Sequence, residues 1–401
     1  MTADPPAQVA AALAALRPVA DEILVAVDSR VDRSALGAYD GVADRLVRFD
    51  HRPPVDRPRA WLAAQCSADW MLSIDGDEVA SQALVDALPQ LLEARDVVQY
   101  WLPRRWLYPD PTTWLGETPW WPDFQVRLAR TGPTLVARAE LHAGFLGMLP
   151  ARHVDAPLYH LDGVLNDEAS RTAKAERYES EGPGRAAYGG GGLNDVMYRP
   201  ERWASTPLRP VPAVDRARVD AVLSARAGAP VAGSANPRSL GQSVADTLAG
   251  SAVGDVVPAA EIDALASSPV LAVADYAVGL ALFDDPGGPV RLAPGEVRPL
   301  HVRVHNRGGA TWRWGLEQQP EIRVSYHWRS VEGDVHTYEG LRSPLPCDVR
   351  PGESAIVPVW VEVPAEPGAY RLEVDLVHEH VRWFETPLQV DVAVAAREAR
   401  C

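Results

Sequence analysis

The chain has 401 residues, enough for two or three domains, and its 47% hydrophobic and 23% charged content is ordinary for a globular protein with a core. Its 39 basic and 54 acidic residues leave a formal net charge of −15. That balance repels phosphate backbones and anionic lipid, which excludes nucleic-acid or membrane-surface binding driven by net charge.

Taken in chain order, the N-terminus MTADPPAQVAAALAALRPVADE is acidic where a secretory signal is basic. The longest apolar stretch, near Val270–Phe283, is too short to span a bilayer. Cys66, Cys347 and Cys401 match neither a disulfide framework nor a zinc spacing. Together these predict a cytoplasmic chain in a reducing compartment, with no transmembrane segment. Gln8–Leu16 reads as a helix closed by Arg17-Pro18, and Glu22–Val27 as a strand buried on both faces. Arg45–Phe49 is a second strand, and Pro58–Ser67 a helix with proline in its first turn. Trp70–Ile74 is a third strand, running into Asp75-Gly76-Asp77-Glu78; a helix over Ala80–Ala94 and a strand over Val97–Leu102 follow. Alternating strand and helix predict an α/β domain over residues 1–183, with a mostly parallel sheet flanked by helices.

Residues 184–285 are rich in glycine, proline and small polar residues, as in PGRAAYGGGGLND and SARAGAPVAGSANPRS. They read as a loosely packed connector with one helix at Val214–Ala225. From 286 to 396 the texture turns all-β. LHVRVH, IRVSYHW, AIVPVWVEV, YRLEVDLV and LQVDVAV alternate apolar and polar residues between glycine-bearing turns, which predicts an immunoglobulin-like sandwich. Its tryptophans are expected mostly in the core, and its histidines are too irregularly spaced for a metal site.

The residues that carry chemistry centre on Asp75-Gly76-Asp77-Glu78, at the carboxyl end of a strand, where ligands of open α/β sheets collect. Two carboxylates one residue apart suit a hard cation such as Mg²⁺ or Mn²⁺ that keeps open positions for substrate phosphates. An acidic surface turn or a helix N-cap is the plainer reading of the same residues. Asp123 follows Trp120-Trp121-Pro122, whose rings either face a sugar or fill the core. Arg104, Arg105 and Arg127 have the fork geometry for phosphate, although Arg127 reads first as a structural ion-pair partner. His160 reads as a satisfied strand-end histidine, Asp32 as a helix cap, and Arg171, Lys174 and Arg177 as a solvated helix face.

The ordered series ADEILVAVDSRVDRS, ADWMLSIDGDE, LPRRW, WWPDFQVRLAR, ELHAG and LYHLDG with a following RTAKAERYE resembles the GT-A, inverting, family-2-like glycosyltransferases over Val19–Gly184. The resemblance implies a nucleotide-sugar donor and a glycan, lipid-linked or protein acceptor hydroxyl, in cell-envelope polysaccharide synthesis. It assigns Asp28 to the nucleobase, Asp75 and Asp77 to the metal-diphosphate, and His142 to the metal or diphosphate; Arg127, by its guanidinium fork, is the further candidate for the donor diphosphate. Asp123 becomes the general base, with Glu140 as a stand-in for the glutamate that relatives carry after the histidine. Members of that family open on a strand ahead of the first helix; this chain starts at the helix, so the first strand of the sheet is expected to be missing. VHNRGGATW, VSYHW, DVRPGE and EPGAYRLEVDLV resemble accessory β-sandwich modules of envelope enzymes, which implies binding of acceptor, a protein partner or a second copy. Ile74–Val79 also fits the start of haloacid-dehalogenase-type phosphatases, where the first aspartate is a nucleophile and a downstream lysine is needed; here that is Lys174. A third reading is a non-catalytic carbohydrate-binding or assembly protein with a degenerate transferase domain.

Overall fold

The structure is a computed structural model; it describes residues 4–49, 62–132, 135, 145, 148–181, 193–202, 206–227, 271–314, 322–379 and 382–395. Helix α1 (Pro6–Ala14) begins on proline, whose missing N–H is no loss in a first turn. Its Val9 and Ala10 pack on Ile23, Val25 and Val27. Strands β1 (Leu24–Asp28) and β2 (Arg45–Phe49) pair in parallel as a sheet of their own.

The larger sheet of this half is built from β3 (Trp70–Leu72), β4 (Glu78–Ala80), β5 (Gln99–Trp106), β7 (Asp123–Arg130), β8 (Ala151–His153) and β9 (Leu158–His160). A short β6 (Thr113–Leu115) lies between β5 and β7 in the chain. Helix α2 (Gln82–Glu93) follows β4, and its cap Ser81 accepts from the Leu84 amide. The strand order is β3-β7-β5-β9-β4, with β8 also on β5. Here the expectation of a mostly parallel sheet is corrected. β3–β7, β7–β5 and β9–β4 are antiparallel, and only β5–β8 and β5–β9 run parallel. The physical reason lies in the connections. β5 returns as β7 through β6 and turns rather than through a crossover helix, so the pair is antiparallel.

The segment read as a loose connector is packed where it is described. After helices α3 (Asp162–Leu165) and α4 (Glu168–Glu181), which close the predicted α/β domain, the connector forms α5 (Leu193–Tyr198) and β10 (Leu208–Pro210), which pairs with β6. Helix α6 (Ala213–Ala227) covers the predicted Val214–Ala225 and buries Val219 and Val222 against Val79, Trp114 and Tyr159. Residues 58–61 of the predicted helix at Pro58–Ser67 lie outside the described residues; 62 and 63 are helical, and the chain turns at 64 and 65, short of the predicted end.

The C-terminal half is a two-sheet sandwich. One sheet holds β11 (Val278–Leu282), β13 (Val297–Asn306) and β17 (Ser354–Glu362). The other runs β12 (Val290–Leu292), β20 (Leu388–Val394), β18 (Gly368–His378), β14 (Ile322–Ser330) and β15 (Val335–Thr337). Within it, β16 (Ser343–Pro344) adds to β14 and β19 (Arg382–Trp383) to β18. Alternate residues point inward, so Val302, Val304, Val357 and Val359 meet Val324, Tyr326, Trp328, Leu372 and Val374 in one core. Each such side chain contributes about 1.5–3 kcal/mol on burial. Trp312 and Trp328 are buried as expected, whereas Trp360 is exposed.

The sandwich is docked on the α/β half. The Arg209 guanidinium grips both oxygens of Asp284, Nη2 to Oδ2 at 2.7 Å; Asp96 takes Arg152 at 2.9 Å and Arg350 at 3.2 Å. The Ala151 amide donates to the Pro346 carbonyl at 2.7 Å. Phe124, next to Asp123, lies among Phe283, His153 and His301.

Candidate functional site

The turn from β3 to β4 carries Asp75, Gly76, Asp77 and Glu78. Glu78 is fully buried, and its Oε2 accepts from the Asp75 amide at 3.1 Å while its own amide donates to the Asp75 carbonyl at 3.1 Å. The turn closes on itself, and the Asp75 and Asp77 side chains stay partly exposed.

A buried charge needs partners, and Glu78 finds two: Arg127 Nη2 and, at 3.3 Å, Arg104 Nη1 both reach Oε1. Arg127 comes from β7 and also holds Asp75 Oδ2 at 2.7 Å. Arg104 comes from β5 and extends to Asp123 Oδ2, Nε at 2.8 Å and Nη2 at 2.6 Å. Arg104 and Asp123 sit opposite each other in the antiparallel register of β5 and β7. Burial works against both guanidinium charges, but Asp75 and Glu78 around Arg127, and Asp123 and Glu78 around Arg104, outweigh it and raise both pKa values. The result is one network, Asp75–Arg127–Glu78–Arg104–Asp123, that joins three chain segments, the β3–β4 turn, β5 and β7, at one place.

Trp106, two residues beyond Arg104 on the same face of β5, donates its Nε1 to Asp123 Oδ2 at 2.8 Å; Gln125 Nε2 donates to Oδ1 at 2.7 Å. The Trp106 ring also meets His160, tilted at 50° with centroids 4.1 Å apart. His160 Nε2 lies 3.5 Å from Asp77 Oδ2, and its Nδ1 is buried without a partner. Burial, with Arg104 adding to it, lowers the His160 pKa against the pull of Asp77, so the ring is neutral. Beyond His160, the buried Asp162 takes the Lys174 ammonium, which sits 4.6 Å from the Tyr198 ring centre. Burial opposes that charge too, but Tyr198, Asp162 and Asp77 together raise its pKa.

The structure therefore brings together Asp75, Asp77, Asp123 and Arg127 of the residues read from the sequence, and Glu140 and His142 lie outside the described residues. Asp28 ends β1 in the other sheet, buried and clamped by Arg30, Nε to Oδ1 at 2.9 Å and Nη2 to Oδ2 at 2.7 Å. Asp32 caps the next turn by accepting from the Ser34 amide at 2.9 Å, its plainer reading. Lys174 is not part of a solvated face, and neither is Arg171, which is buried and donates to the Tyr198 and Asn166 carbonyls. The sugar-facing reading of Trp120 and Trp121 is corrected: both are core residues, and Trp120 Nε1 donates to the Met197 carbonyl at 2.9 Å. Trp106 and Asp162 were missed by sequence reasoning. The period-two spacing of Arg104 and Trp106 before a strand bearing Asp123 is the signal that marks the first.

Mg²⁺ bound with substrate phosphates needs only one or two protein carboxylates. Among the described residues no group of three His, Cys, Asp or Glu side chains is arranged around a metal position. The hard oxygens of Asp75 and Asp77 on one turn fit such a phosphate-borne cation, with Asp75 first giving up part of its contact to Arg127.

No protein-family model matches the chain, and no curated protein does. Among solved structures, the CARDB domain of a Pyrococcus furiosus protein, determined in solution, is 18% identical, covering 30% of this chain and 94% of that domain at a TM-score of 0.20. A crystal structure of the same domain in complex with di-metal ions covers 29% of this chain and 85% of that one, at 18% identity and a TM-score of 0.18. TarS of S. aureus, a glycosyltransferase, is 11% identical, covering 97% of this chain and 76% of that chain at a TM-score of 0.28. These likenesses are distant and leave the chemistry to the site itself. No helix among the described residues is long and apolar enough to cross a membrane.

Proposed function

We propose that the chain is a metal-dependent inverting glycosyltransferase that moves a sugar from a nucleotide-sugar donor to a hydroxyl of a glycan, lipid-linked or protein acceptor. Envelope-polysaccharide synthesis is the setting this reading takes from the sequence resemblance. One observation carries it: the Asp75–Asp77 turn and Asp123 are joined at one place by Arg127, Glu78 and Arg104.

In this reading Asp75 and Asp77 hold Mg²⁺ or Mn²⁺, with His142 as a further ligand. When bound, the cation stabilises negative charge on the departing diphosphate as a Lewis acid. Asp123 takes the acceptor proton. Its Oδ2 is fixed by Arg104 and Trp106, and Oδ1, which accepts from Gln125, has remaining acceptor capacity to turn toward a hydroxyl. An inverting displacement needs one such base and no covalent intermediate. Glu140 is the second candidate base. His160, neutral and tilted against Trp106, meets Asp77 while Trp106 holds Asp123, so one aromatic pair links the two carboxylates. Lys174 supplies positive charge beside Asp77. Asp28, with its charge balanced by Arg30, meets the nucleobase. The sandwich holds acceptor, a protein partner or a second copy.

A carbohydrate-binding or assembly protein is the second reading, favoured by the pairing of Asp75 and Asp123 with guanidinium groups in the present arrangement. The phosphatase reading has less support, because Lys174 pairs with Asp162. Titration calorimetry of the full chain with Mn²⁺ and UDP, GDP or dTDP separates the first two. The transferase reading expects metal-dependent binding of one nucleotide, weakened at least about tenfold in Asp77→Asn, a loss of about 1.4 kcal/mol. Nucleotide binding that is absent, or equal in the variant, overturns it.

A further inference from the structure

We propose that Gln8 and Arg226 are positioning residues that hold the Asp75–Asp77 turn in place from two helices remote in sequence. The turn exposes three carbonyls, and each is taken by a different element. That of Asp75 accepts from the Glu78 amide at 3.1 Å, that of Asp77 from the Leu161 amide at 2.9 Å, and that of Gly76 from Gln8 Nε2 at 2.7 Å. Two of these donors are main-chain groups of the sheet region. Only the carbonyl midway between the two aspartates depends on a side chain.

Gln8 is fully buried on α1, whose other buried residues are apolar or proline. A buried primary amide is costly unless both its ends are satisfied, and here both are. Its oxygen accepts from Arg226 Nη1 at 2.8 Å, and Arg226 lies in the last turn of α6 with Asp4 Oδ1 at 3.8 Å. The orientation of the amide is fixed, because Arg226 can only donate and the Gly76 carbonyl can only accept. Rotating the Gly76 peptide swings the Asp75 and Asp77 side chains relative to each other. The Arg226–Gln8–Gly76 chain therefore sets the separation of the two carboxylates, and it ties that separation to the packing of α1 on α6.

The functional consequence rests on the transferase reading, whereas the anchoring does not, so the test has two arms on the full chain. Gln8→Glu preserves size and strengthens the contact to Arg226, but it sets a carboxylate oxygen against the Gly76 carbonyl. Hydrogen–deuterium exchange should be at least about fivefold faster at the Asp75 and Glu78 amides, with β13 and β17 unchanged, and the urea midpoint should stay near that of the parent. Affinity for the nucleoside diphosphate with Mn²⁺ should fall about tenfold. Arg226→Met, which removes only the second link, should move both readouts in the same direction by less, and it serves if Gln8→Glu does not fold. Parental exchange in both variants overturns the proposal, as does faster exchange with unchanged nucleotide affinity. Faster exchange in a chain whose parent binds no nucleotide overturns the transferase reading and leaves the anchor standing.

Discussion

His153 on β8 and His301 on β13 meet where the sandwich docks, their ring centroids 5.6 Å apart. Phe124 is edge-on to His153 at 4.8 Å and tilted on His301 at 4.5 Å, and Trp101 stacks on His153 at 5.3 Å. Burial pushes the His153 imidazole down to about 3, and burial with His153 and Arg298 nearby pushes His301 well below its usual value. Arg298 is itself held by Thr118 and by Glu296 at 3.7 Å. The folded protein thus refuses a proton that the unfolded chain takes up below about pH 6.5. These rings are neutral in both states above that pH; for His153 stability is lost as the pH falls from 6.5 toward 3, and His301 acts in the same direction. At pH 5, about 1.5 units below the unfolded value at 1.36 kcal/mol per unit, the His153 ring costs at most about 2 kcal/mol. Partial exposure and coupling between the rings bring the expected figure for His153 nearer about 1 kcal/mol.

Asp375 acts with the opposite sign. Burial raises its carboxyl to about 6, so its proton stabilises the fold as the pH falls below that value. A pH profile of the parent alone mixes these contributions, and a variant separates them. His153→Phe keeps a ring in place and forfeits no hydrogen bond at Nδ1, which is buried without a partner. Between pH 7.5 and 5.0, urea unfolding of this variant should lose about 1 kcal/mol less than the parent. Parallel losses in the two proteins would refute the reasoning.

Two further outcomes are expected. Trp106→Phe keeps the ring against His160 but removes the donor to Asp123, so turnover measured as nucleotide release should drop about tenfold with donor KM little changed; a changed KM at full turnover would contradict the role given to Trp106. Glu385 has φ of 63°, the left-handed region that disfavours a Cβ, and its carboxylate makes only an exposed pair with Arg382. Glu385→Gly should therefore stabilise the protein by about 0.5–1 kcal/mol, read as a raised urea midpoint, and a lowered one would contradict it.

The sandwich strands were legible because period-two alternation reports directly which side of a strand is buried, as in β13, β17 and β18. Helices α2 and α6 fell within a few residues of their predicted spans because their apolar spacing, and for α2 the Ser81 cap, are local. Strand direction was not legible. An apolar run such as VVQYWL encodes burial but not the sense of its neighbours, and the mixed sheet follows from connections with no helix in them. The acidic turn stood out as a motif, yet its link to Asp123 depends on the register that sets Arg104 opposite Asp123. Register is a property of two strands at once, and neither segment states it alone. Gln8 gave no signal, since a glutamine in an alanine-rich helix looks like an ordinary surface residue until a turn 68 positions away accepts its amide.

Phe124 is wedged between His153, Phe283 and His301, one residue from Asp123. Cutting the chain before Val278 to study the N-terminal half by itself would strip two of those three neighbours and leave an unclad aromatic beside the candidate base. Inactivity of such a fragment would then measure a collapsed support, and say nothing about what the C-terminal module recognises.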